Sequence, residues 1–168
     1  MAPRTSLATA LAVAALCARP APGAGALAQM PIEATEAAFR TLLTQNPSGV
    51  RASTICLAVI RFVASGHRRT YFDPPLAVLP RLAATHPGLQ PYSKCRLRQT
   101  PAIGRLLDSV TGEQAMVLAV EESIRSLGDT LVFSGSYHCG GLCGGGGPLR
   151  VWREGGTWHT RFTVEWVS

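Results

Sequence analysis

The chain has 168 residues, 16 of them basic and 10 acidic, for a formal net charge of +6. That length suits one domain with a core of its own. The charge is modest and scattered, which argues against the concentrated basic face of a nucleic-acid binder.

Residues 1–28 read as a cleavable signal peptide. Arg4 supplies a positive start, residues 7–18 (LATALAVAALCA) form an uncharged apolar run, and Ala26 and Ala28 offer small residues for cleavage before Gln29. The run falls well short of the roughly 20 residues of an ordinary membrane span. An uncleaved N-terminal anchor is the alternative. Leu16 is too bulky for Cys17 to be lipid-modified. The expected mature chain, 29–168, carries a net charge of +4, four cysteines and a single lysine, Lys94. No other stretch is long and apolar enough to span a membrane, so a periplasmic or secreted domain is expected.

Pro31 to Asn46 predicts the first helix. Pro31 suits a first-turn position, Glu33 and Glu36 favour the helix dipole, and Ile32, Phe39 and Leu43 mark an apolar face. Asn46-Pro47 stops it. Thr54 to Val63 (TICLAVIRFV) is apolar on both faces except for Arg61, the pattern of a strand covered on both sides. From Ala64 to Gly112 six prolines rule out a long regular element. Short helices are expected near 76–84 and 103–110, and the region is expected to wrap the edge or mouth of the sheet. The basic clusters at 66–69 and 94–98 read as solvated loops.

The pattern then sharpens. Met116, Leu118, Val120 and Ile124 alternate, as do Leu131, Phe133 and Tyr137, with a turn at 127–130 between the runs. Gly155-Gly156 predicts a tight hairpin. It pairs Arg153 with Trp158, Val151 with Thr160 and Leu149 with Phe162, and it puts Trp158, Phe162, Val164 and Trp166 on one face. The same register sets Arg150 against Arg161, a like-charge pair that costs stability unless Glu121, Glu122 or Glu165 lies nearby. The elements sum to an α+β fold: the N-terminal helix packed on a curved antiparallel sheet that ends in a C-terminal β-meander.

The segment 137–147 (YHCGGLCGGGG) is the most unusual in the chain. Four mature cysteines in an oxidising compartment imply disulfides, with three possible pairings. Glycine between Cys139 and Cys143 lets the backbone bring them together. That pairing leaves Cys56 and Cys95 to each other, across a larger loop whose closure contributes more stability. Two other readings exist. His138, Cys139 and Cys143 have the chemistry of a copper or zinc site, with His159 or His67 as further ligands. Thiol exchange is the other, although the cysteines lie in a glycine turn without a helix dipole to activate them. The glycine run lacks the Lys and Ser/Thr of a phosphate loop. His67, His86, His138 and His159 show no partnered carboxylate, and Asp73, Asp108 and Glu121-Glu122 form no evident acid/base pair.

The order of helix, strand, irregular middle and antiparallel meander resembles cystatin-like and NTF2-like domains. Residues 151–158 (VWREGGTW) look like the late hairpin of those domains, where a turn glycine precedes a core-filling Trp. The resemblance implies a curved sheet wrapping a helix around a cone-shaped pocket. Cys139-Gly140-Gly141-Leu142-Cys143 is similar to segments of small exported bacterial proteins, a likeness that implies no activity. The leading expectation is an exported, disulfide-stabilised, non-enzymatic domain without a cofactor that binds a protein partner or small-molecule ligand. A periplasmic soft-metal protein using the His-Cys-x-x-x-Cys segment comes second, and an NTF2-like pocket enzyme or thiol redox protein third.

Overall fold

A computed structural model describes residues 31–45, 48–63, 68–100 and 104–168. The predicted signal peptide, Cys17 and His67 lie outside these residues.

In chain order the elements are helix α1 (Ile32–Gln45), strands β1 (Thr54–Val63) and β2 (Arg68–Phe72), helix α2 (Val78–Ala83), β3 (Leu89–Pro91) and a 3-10 turn (Tyr92–Lys94). Then follow β4 (Leu97–Gln99), β5 (Leu106–Asp108), β6 (Ala115–Leu127), β7 (Thr130–Gly140), β8 (Cys143–Glu154), β9 (Thr157–Phe162) and β10 (Trp166–Val167). Eight of these strands form one sheet in the order β10-β8-β7-β6-β1-β2, with β3 added to β1 and β9 to β8, while β4 and β5 pair separately.

The expected α+β plan, a helix packed on a curved antiparallel sheet, is therefore wrong. Most described residues lie in strands, and the large sheet is mixed: β1 runs parallel to both β3 and β6, and only the other pairings are antiparallel. The reason lies in β1. Both of its faces are apolar, so it must occupy the middle of a sheet with cover above and below. Leu57 and Val59 join one buried cluster with Phe39, Leu42, Met116, Leu118 and Phe133. Cys56, Ala58 and Ile60 join a second cluster with Leu106, Ala115, Val117 and Ala119.

The Pro-rich middle does more than wrap an edge: β4, β5 and the 3-10 turn cover the second face, where Tyr92, Cys95 and Leu97 pack on that cluster. Gln114 fastens this cover, its side-chain amide donating to the carbonyls of Leu106 at 3.1 Å and Cys139 at 3.2 Å. Of the helix expected near 103–110, residue 103 lies outside the described residues, and the rest holds β5 and a turn instead, because Asp108 accepts the Val110 amide at 2.8 Å and bends the chain locally. The basic clusters read as loops also contribute strand, since Arg68 opens β2 and Leu97 opens β4.

The hairpin around Gly155-Gly156 has the expected register, with φ of 56° and 83° at the two glycines. Its second arm does not continue to Trp166, however. The chain breaks after Phe162 and resumes as β10, which pairs with Gly145 and Gly146 of β8. Val164 and Trp166 consequently leave the core face, and Trp166 is 49% exposed. The run Gly144–Gly147 is no loop either: it is buried strand within β8. A Cβ on Gly145 would stand 2.7 Å from the Tyr137 ring, and one on Gly146 2.8 Å from the Trp166 ring. At Gly147 it would meet the Thr163 carbonyl. Side chains are missing from this stretch because neighbouring elements fill their space.

Candidate functional site

Two disulfides are present, Cys56–Cys95 with Cα atoms 6.2 Å apart and Cys139–Cys143 with Cα atoms 5.1 Å apart. The second closes the β7–β8 turn. Cys139 lies in the α1-side core, whereas His138, next in sequence, is exposed and lines a cleft on the opposite face. Both sulfurs of this pair are bonded to each other, and strand alternation turns His138 away from them. Among the described residues no three His, Cys, Asp or Glu side chains are grouped to hold a metal ion. His86 and His159 stand elsewhere, His159 in β9 stacked on Trp152.

The cleft beside His138 is lined mostly by apolar and aromatic side chains. Tyr71, Tyr92, Leu97, Leu106, Val117 and His138 line a cavity of about 280 Å³. Its floor comes from the sheet: Tyr71 sits opposite Ile60, Cys56 beside Val117, and Val117 opposite His138. Leu97 and Leu106 of the β4–β5 pair form one wall.

The aromatic wall is held rigidly. Tyr71 and Tyr92 stack with centroids 5.1 Å apart and planes 23° from parallel. The Asp73 carboxylate accepts the Ser93 amide at 2.7 Å and the Ser93 hydroxyl at 2.6 Å, tying the residue after Tyr92 to the end of β2. Three residues beyond Tyr92, Cys95 is bonded to Cys56 in the central strand. Tyr92 is thus anchored close by, to β2 through Ser93 and to β1 through Cys95.

Behind this cover sits Asp108, 5% exposed. The Val110 amide and then the Thr54 hydroxyl, at 2.9 Å, hold its carboxyl below the usual range, with smaller help from the Thr111 amide and the charge of Arg96. Its oxygens are directed at the turn and at β1, so it locks β5 in place and offers nothing to a ligand. On the other side of the sheet, burial raises the pKa of Glu36, but the guanidinium groups of Arg40 at 2.8 Å and Arg81 at 3.1 Å outweigh it and leave that pKa lowered. This trio links α1 to α2.

The sequence points to Cys56 and Cys95 but not to Tyr71, Asp73, Tyr92 or Ser93. These four lie in the Pro-rich middle, which has no periodicity to mark a face. A signal was nonetheless there, since any bridge drawing Cys95 to β1 must bring Tyr92 with it. Comparison with known protein families, curated proteins and solved structures returns no match. Nothing in these comparisons bears on the resemblance to cystatin-like and NTF2-like domains.

Proposed function

We propose that this protein is an exported, non-enzymatic binding domain that takes a small planar or apolar group in the cleft between Tyr71, Tyr92 and His138. The observation that carries this reading is the stacked tyrosine pair, fixed from both sides over an apolar floor. A preset aromatic wall loses little conformational freedom on binding, which favours affinity in a small site. The exposed His138 ring at the rim adds one polar contact for orientation. Two disulfides fit a compartment where thiols oxidise, as does the signal-like character of residues 1–28. No helix among the described residues is long and apolar enough to cross a membrane.

Indole is a suitable probe, being neutral and flat. In an amide-resolved NMR titration of the oxidised protein, saturable shifts are expected at Tyr71, Tyr92, Leu106 and Val117, weakened at least tenfold in Tyr92→Ala. Shifts that miss the cleft, or that survive this substitution unchanged, would overturn the assignment. Defined steady-state turnover of ester, peptide or glycoside substrates would overturn the non-enzymatic part.

A further inference from the structure

The distal end of the meander carries a feature that the cleft does not explain. Arg150 of β8 and Arg161 of β9 are direct cross-strand partners, and both are exposed. Like charges in that relation repel. Neither arginine forms an ion pair with a described residue. Glu121 and Glu165 line a separate depression with Ser134 and Pro148.

A second observation falls at the same place. Arg150 and Arg161 line a cavity of about 330 Å³ together with Thr130, Trp152 and Leu127. Trp152 is held by stacking on its cross-strand partner His159, with ring centroids 5.7 Å apart. Leu127 is 66% exposed. The site therefore combines two guanidinium groups, one hydroxyl and an apolar shelf on the sheet face turned away from α1.

We propose that this cavity binds a phosphate monoester whose ring or apolar body rests on Trp152 and Leu127. Guanidinium groups present forked donors that match phosphate oxygens bidentately. Two of them side by side, repelling one another when the site is empty, are drawn together by a shared dianion. The Thr130 hydroxyl supplies a further donor. No bond is made or broken; this is a binding site, remote from the tyrosine cleft and independent of it.

Phenyl phosphate tests the assignment, with phenol, inorganic phosphate and phosphatidic acid vesicles as comparison arms. At low ionic strength, phenyl phosphate should give saturable amide shifts at Thr130, Arg150, Trp152 and Arg161. Arg150→Gln and Arg161→Gln should each weaken binding at least tenfold, while Tyr92→Ala leaves it unchanged. Inorganic phosphate should bind the same residues more weakly, and phenol should not perturb them. Equal affinity for phenol and phenyl phosphate would overturn the proposal. So would binding that survives both arginine substitutions, or binding to the vesicles without binding of soluble phenyl phosphate. Thermal melts supply a readout free of ligand: removing one like charge should leave Tm equal to or above that of the parent, so a marked fall would assign the pair to stability instead.

Discussion

The ring of Tyr137 lies across the bare α-carbon of Gly145, its direct cross-strand partner. This pair shows why a run of four glycines can form buried strand. Tyr137 fills the space on one side, the Trp166 ring covers Gly146, and the Thr163 carbonyl closes on Gly147. Three of the four glycines are thus each matched to a particular neighbour.

Gly145→Ala is expected to destabilise the oxidised protein by roughly 1–3 kcal/mol, the range for overpacking a filled site. Gly147→Ala should cost at least as much, because the atom it meets is backbone and cannot rotate away. Urea denaturation followed by far-UV circular dichroism reads both. A parent-like midpoint in Gly145→Ala would mean that the Tyr137 ring does not cover Gly145, and one in Gly147→Ala that the Thr163 segment does not close on β8.

The two bridges should differ in their contribution to stability. Cys56–Cys95 spans 39 residues and Cys139–Cys143 spans four. Loop-closure entropy then gives roughly 4 kcal/mol for the first and roughly 2 kcal/mol for the second. The Cys56→Ala, Cys95→Ala double variant should also lose the stacking of Tyr71 on Tyr92, and with it indole binding, whereas Cys139→Ala, Cys143→Ala should keep both. Equal destabilisation by the two double variants would contradict the entropic ordering.

Acid should weaken the protein partly through Asp108. Its folded pKa lies below the ordinary 3.8, so its contribution is fully present above the unfolded value. That contribution is lost as pH falls from about 4 through the lower folded pKa. Glu36, whose pKa is also lowered, acts in the same direction. Asp108→Asn should therefore flatten the acid limb of the stability profile, measured by urea melts between pH 2 and 6. Thr54→Val, which removes one donor, should flatten it less. A limb as steep as the parent's in Asp108→Asn would assign the acid sensitivity elsewhere.

Much of the local structure can be read from residue order. The terminal hairpin is legible to the exact pair because alternation of period two and a two-glycine turn leave one register that buries Leu149, Val151 and Phe162 together. Helix α1 and strand β1 are legible for a similar reason, since apolar periodicity reports which faces must be hidden. The cysteine spacing marks the closed β7–β8 turn.

What the residue order could not convey depends on contacts between distant segments. Parallel pairing of β1 with β6 joins chains 61 residues apart, Thr54 to Ala115, and no local pattern encodes that choice. The β4–β5 cover and the tyrosine wall come from a stretch whose prolines erase periodicity, so only the Cys56–Cys95 bridge and the Asp73–Ser93 hydrogen bonds place them. Glycines 144–147 carry no side chain to mark a face, so they read as a loop until Tyr137, Trp166 and Thr163 arrive beside them. Local periodicity determined the helix, the central strand and the hairpin; long-range packing alone decided the sheet order, the second covered face and the two cavities.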